Sequence, residues 1–229
     1  MWHLPLPGEF LLLAHQESGR VRDSEQAAYG CAAAELGELA LRRRLRVRVR
    51  KSRLFGFEVY RLSGTIELLD TGRTGLGWAD DVLGALQSGA GMHKWLRHRR
   101  HAALALHRDA LIELGLLRHR PGRFLAGERH HPDPSARGSL IARLSAVYDQ
   151  RAPLDERLLF LSDLVDGAGL AGELGLRLSW QQRKDRARGV GAVLAFAEDL
   201  RDTSTVLGGA IPSPRSGGGG GGGDGGGGE

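Results

Sequence analysis

Apolar positions along this chain recur mostly at helical spacing, with one clear change of period near residue 42. From Ser24 to Leu41 the run SEQAAYGCAAAELGELAL carries Ala27, Ala28, Cys31, Ala34, Leu36, Leu39 and Leu41 as a broad apolar surface. Ser24, with Glu25 and Gln26 behind it, predicts the helix start. After Leu41 the spacing becomes alternate: Arg44, Arg46, Arg48 and Arg50 interleave with Leu45, Val47 and Val49. That pattern predicts a half-buried strand with arginines on its open face. Such a strand is either a solvated edge, where charge blocks unwanted pairing, or a surface for anions.

The remaining pattern predicts a helical protein with small β pieces. LPLPGEFLLLAH reads as a turn and a short apolar helix, and HQESGRVRD as a loop or tight hairpin. Phe55, Phe57, Val59 and Leu62, then Ile66, Leu68 and Leu69, predict two more short strands able to pair with the first. Helical spacing resumes over 78–86 and over 94–117, where Gly115 ends or kinks a helix that starts basic and turns apolar. Pro121-Gly122 and Gly127 mark a hairpin over 118–134, whose apolar stretch is Phe124 and Leu125. Helices are expected over 136–148 and, capped by Asp155, over 155–165. A helix junction follows at 170–178, a charged helix start at 180–188 and an apolar closing helix at 190–200. The expected fold is mainly α: a single-domain helical bundle over 1–215, with surrounding amphipathic helices, a few short strands and a β-hairpin. Residues 216–229 form a Gly-rich tail too poor in apolar groups to offset its ordering entropy.

Charge narrows the function. The formal net charge is +5, and it becomes +7 when the tail's two acids, Asp224 and Glu229, are set aside. A basic folded part suits phosphate-bearing partners, nucleic acid or an anionic membrane face. Cys31 is the only cysteine, which excludes a disulfide framework and a cysteine zinc cage and suits a small core residue. The run from Phe10 to Ala14 is far too short to span a bilayer, and no basic leader precedes it. A cytoplasmic protein held peripherally at the membrane face is the expectation.

Chemistry finds little footing. His98 and His101 stand three apart, His107 lies further along and His130-His131 sit in the hairpin, but arginines at 97, 99 and 100 crowd the first group. A solvated basic face explains these histidines better than a metal site. Nucleophile-elbow, zinc-protease, phosphate-loop and dinucleotide motifs do not occur, so neither an enzyme nor a cofactor is expected. A basic helix followed by a compact hairpin also outlines a winged-helix nucleic-acid-binding regulator. Ala102 to Leu106 turn apolar too early for base contacts, which makes nucleic acid the weaker reading.

The stretches LPLPGEFLLLAH, AAELGELALRRRLRV, TGRTGLGWADDVLGAL, LHRDALIELGLLRHRPGRF and DERLLFLSDLVDGAGL occur in an order and spacing that resemble the Golgi phosphoprotein 3 family, which has bacterial members. The resemblance covers residues 4–200. It implies a helical domain that binds membranes carrying phosphatidylinositol 4-phosphate and no enzymatic activity. The eukaryotic headgroup positions fall here on Asp23, Ala32, His101 and Leu104, of which only His101 can carry positive charge. A substitute anion site is therefore expected from Arg20 and Arg22 in the loop before Ser24 and Arg97, Arg100 and His101 on the basic helix. Near an anionic bilayer each Lys or Arg contributes about 1 kcal/mol, so four arginines from Arg44 to Arg50 give roughly 4 kcal/mol, a Kd of about 1 mM. Stable attachment needs a second signal, either homo-oligomerisation or insertion of Phe124 and Leu125 beside Trp95.

Overall fold

A computed structural model describes residues 4–49, 51–54, 57–60, 64–121, 128–176 and 196–212. Seven helices occur among them: α1 (Leu6–Ala14), α2 (Ser24–Leu41), α3 (Gly77–Ala85), α4 (Met92–Glu113), α5 (Pro134–Tyr148), α6 (Glu156–Gly167) and α7 (Glu198–Gly209). Six short strands form three antiparallel pairs: β1 (Leu45–Arg48) with β4 (Thr65–Leu68), β2 (Lys51–Leu54) with β3 (Phe57–Tyr60), and β5 (Leu117–Arg120) with β6 (Arg129–Pro132). The fold is mainly α.

The predicted helix at Ser24 is the centre of the bundle. Fourteen of its 18 residues are buried, so α2 is enclosed on every side by α1, α4, α6 and α7. Alanines and glycines make this enclosure feasible by letting neighbours approach the backbone. A Cβ on Gly30 would lie 2.1 Å from Cζ of Phe10, so the Phe10 ring rests directly on the helix. Cys31 is fully buried, as expected, and burial pushes its thiol pKa well up. Asp23 rather than Ser24 caps the helix, its carboxylate accepting from the Glu25 and Gln26 amides.

The change of period near residue 42 has a specific backbone cause. The Arg44 amide donates to the Leu39 carbonyl and the Arg43 amide to the Ala40 carbonyl, with Arg43 in the left-handed region at φ 58. This is a Schellman end, which turns the chain out of α2 and into β1. Helix α4 ends the same way at Gly115, φ 71. Glycine announces such a turn in sequence, whereas Arg43 does not.

β1 pairs with β4 so that Val47 faces Ile66, and both are buried. β2 and β3 close on each other inside that pair, so β3 does not meet β1 as the spacing suggested. Helix α4 leaves the ribbon directly, the Met92 amide donating to the Gly64 carbonyl. The predicted hairpin stem forms as β5–β6, but its expected apolar residues Phe124 and Leu125 lie outside the described residues.

One expectation near the C-terminus changes. Residues 171–175 are turns, in keeping with the expected helix junction, with Leu170, Leu174 and Leu176 buried, while 177–178 lie outside the described residues. The closing helix runs over Glu198–Gly209, later than expected; 190–195 and the charged start at 180–188 lie outside the described residues, as does the Gly-rich tail. The sequence of α7, EDLRDTSTVLGG, is polar and rich in poor helix formers, so its pattern does not announce a helix. It holds its place by contact: a Cβ on Gly208 would meet the Asp163 carbonyl oxygen of α6 at 2.4 Å. Thr203 Oγ1 accepts from the Val47 amide, covering the outer edge of β1. One apolar cluster extends from Leu6 to Ile211.

Candidate anion-binding surface

Arg46 and Arg48 point outward as the alternation required, but both are engaged, as is Arg44; Arg50 lies outside the described residues. Arg46 lies opposite Glu67 in the β1–β4 register, with Nε 2.7 Å from the Glu67 carboxylate. Arg48 reaches the same carboxylate at 2.5 Å. Hydrogen bonds from these two guanidinium groups hold the Glu67 pKa down to about 2. Arg44 pairs with Asp70, Arg43 with Glu156 at 2.7 Å, and Arg42 with Glu38 at 2.9 Å. The strand is a charge-compensated edge rather than an open anion surface.

Helix α4 divides its basic residues between two directions. Met92, Leu96, Ala103, His107 and Leu111 face the core. Arg99 turns inward with them and makes a two-pronged contact with Glu35 of α2, at 2.9 and 3.0 Å. Glu35 is fully buried and also receives His107 at 3.1 Å, while Trp78 packs edge-on against that imidazole. Thus the helical histidines do not form one solvated face: His107 is a core residue, and His98 is exposed.

Arg100 also turns toward α2, bonding Glu25 at 3.0 Å and lying over the Tyr29 ring. His101 approaches the same carboxylate at 3.6 Å. Arg22 pairs with Glu173 at 3.1 Å and donates to the Gly169 carbonyl. The pocket it lines beside Asp23 and Gln26 has a volume of about 10 Å³, room for roughly one water molecule. Of the five expected anion ligands, Arg22 and Arg100 are therefore held by carboxylates, and His101 lies close to one. Arg97 and Arg20 are exposed and have no carboxylate partner among the described residues. No hydrogen bond or ion pair among the described residues joins Arg20 to α4.

What remains open is a stripe. Lys94, Arg97, His98 and His101 are exposed and follow the three- and four-residue spacing of one helix face. The stripe occupies the N-terminal half of α4, whose cap Gly91 offers no side-chain acceptor and whose first turn contains no acid. Lys94, in the first turn, opposes the helix dipole at a cost of about 0.3–1 kcal/mol, an effect that has faded by Arg97. Trp95 is half-buried against the core and does not stand out beside the stripe.

The buried acids form a second charge system that the apolar pattern did not disclose. Arg157 of α6 bonds Glu9 at 2.8 Å and Glu38 at 3.1 Å, binding α1, α2 and α6 together. Burial pushes the Glu9 carboxyl above its ordinary range despite Arg157 and Arg143. Burial acts on Glu38 too, but the Leu6 amide, Arg157 and Arg42 outweigh it and hold that carboxyl low. A clue was present in Glu35 and Glu38, acids placed inside an Ala-rich helical run.

A model of the Golgi phosphoprotein 3 (GPP34) family matches residues 6–205. The match spans most of the chain, from α1 into α7, and the protein belongs to this family. A search of curated proteins returns no match. No helix among the described residues is long and apolar enough to cross a membrane.

Proposed function

We propose that this protein is a non-enzymatic peripheral membrane protein that binds anionic phospholipid through the outer face of α4. The observation that carries the reading is the selective exposure of Lys94, Arg97, His98 and His101, while neighbouring Arg99 and Arg100 are closed by acids. Membership of the family supports a phosphoinositide-type headgroup. The pairing of Arg22 and Arg100 argues for a shallow electrostatic surface instead of a deep headgroup pocket. Lys94 and Arg97 supply roughly 2 kcal/mol together, at about 1 kcal/mol per cation near the bilayer, so a second attachment signal is still required.

Sedimentation with vesicles tests the proposal. The protein is expected to pellet with phosphatidylcholine vesicles containing phosphatidylglycerol or phosphatidylinositol 4-phosphate, and to be released by salt. Pure phosphatidylcholine vesicles should leave it in the supernatant. Equal binding to neutral and anionic vesicles would refute the electrostatic surface. Failure to bind vesicles together with retardation of a DNA duplex at physiological salt would favour a nucleic-acid role.

A further inference from the structure

The β5–β6 stem brings His119 and His130 face to face as cross-strand partners. The His130 amide donates outward to the Gly19 carbonyl, so it does not serve the ladder at this rung. The two histidines consequently occupy a non-hydrogen-bonded pair, the type in which opposite side chains come closest. Their rings stack with centroids 4.9 Å apart. Glu128, just before β6, reaches toward them, with its carboxylate 3.8 Å from His119 Nε2. One donor atom from each of the three residues lies within 4.8 Å of the others.

We infer that His119, Glu128 and His130 form a binding site for a divalent transition metal of the zinc class. Two imidazoles and one carboxylate are the donor set that suits zinc and its neighbours, and three protein ligands leave a further position for water or a small ligand. Zinc bonds of about 2.0–2.1 Å place tetrahedral donors roughly 3.3 Å apart. The donors thus need to close by at most about 1.5 Å from their present spread. His130 is buried and supplies the fixed ligand. The side chains of His119 and Glu128 are 39% and 67% exposed, which leaves them free to make the movement.

The surroundings set the strength of the site. His15 packs edge-on to His130 at 6.0 Å, with its Nδ1 committed to the Leu11 carbonyl. Arg108 faces His130 electrostatically, opposed in part by Asp109 beside it, and Arg129 follows Glu128 in the chain. These cations weaken a metal site, so affinity in the micromolar class is expected rather than that of a structural zinc cage. The alternative for the same residues is an exposed His119–Glu128 ion pair over a stacked imidazole.

Metal titration of the untagged, chelator-stripped full chain separates the two. Zinc(II), read by competition with a chromophoric chelator, should bind with a stoichiometry of one, and cobalt(II) should give the visible absorption of imidazole coordination. His119→Ala and Glu128→Gln should each weaken zinc binding at least tenfold. His98→Ala, on α4, should leave it unchanged. Zinc should raise the melting temperature of the wild type but not of the two ligand variants. Because both altered side chains are exposed, melting without metal checks that the variants fold. Wild-type zinc binding no tighter than that of His119→Ala/Glu128→Gln would overturn the assignment, as would an equal loss in His98→Ala.

Discussion

The blocks 42–48 and 94–101 have similar basic character in the sequence and opposite fates in the fold. In the first, Arg42, Arg43, Arg44, Arg46 and Arg48 each meet a carboxylate, supplied by α2, α6, the turn after β4 or β4 itself. In the second, Arg99 and Arg100 meet acids of α2, while Lys94 and Arg97 have no such partner among the described residues. Arg97 and Arg99 are two positions apart and point to different sides of one helix. Availability of a charge is decided by which acids the fold brings to it, so local density of arginine is a poor guide to a binding surface.

The largest expected effect lies on the closed side of α4. Glu35→Ala leaves Arg99 and His107 facing an apolar interior without their acceptor. Breaking one side of a buried pair costs about 3–5 kcal/mol. Urea denaturation should show this loss, whereas Arg97→Gln should leave the midpoint near its original value. Equal stability of the two variants would dissolve the distinction between closed and open arginines.

A comparable effect should appear with pH. Burial, helped by the charges of His130 and Arg108, lowers the His15 pKa to about 4 from an ordinary 6.5, against the opposing Leu11 hydrogen bond. The neutral ring is therefore the folded form, and the unfolded chain binds the extra proton between these values. This contribution is complete above pH 6.5 and falls away as the pH drops toward 4. A shift of this size corresponds to at most about 3–4 kcal/mol, at roughly 1.4 kcal/mol per pKa unit. Denaturation with chelator present, so that no metal contributes, should show this slope in the wild type and a flatter one in His15→Gln.

The bundle was legible because its signals were local. Helical spacing, Asp155 as a cap and Gly115 as a stop all describe a residue's immediate neighbours. The alternation of Leu45 and Val47 with arginines likewise gave the strand and its facing. What could not be read was pairing over distance: Glu67 opposite Arg46, Glu35 beneath Arg99, and Arg157 between Glu9 and Glu38 join segments 21 to 148 positions apart. Helix α7 was obscured locally instead, by a polar sequence rich in poor helix formers, and its contact with α6 through Gly208 exists only once both helices are in place. The candidate ligands Arg22 and Arg100 failed as free cations because their carboxylates come from other segments.

Charge reversal on the open side should separate stability from binding. Lys94→Glu/Arg97→Glu puts an acid at position 94, in the first turn, where the α4 dipole favours it, so a gain of about 0.3–1 kcal/mol is expected from that site. The same variant removes two cations worth about 1 kcal/mol each at an anionic bilayer, a loss of roughly 30-fold in vesicle affinity. Parallel melting and sedimentation measurements should move in opposite directions. A variant that loses both together would mean that the stripe is structural.

The finest test attempts to convert the closed block into an open one. Arg48→Ala should change vesicle binding little, because its guanidinium already faces Glu67. Glu67→Gln removes the carboxylate shared by Arg46 and Arg48 without disturbing the buried Val47–Ile66 pair beneath it. Arg48 is thereby released on the outer face of the ribbon, while Arg46 keeps the Asp199 carboxylate at 3.8 Å, and affinity for anionic vesicles should rise severalfold, at about 1 kcal/mol per freed cation. The Glu67 pKa of about 2 means that mild acid does not mimic this change, so binding measured at pH 5 and 7 should show no contribution from this carboxylate. If Glu67→Gln binds vesicles no better than the wild type, the ribbon lies away from the membrane. Contact would then be confined to surfaces such as the outer face of α4.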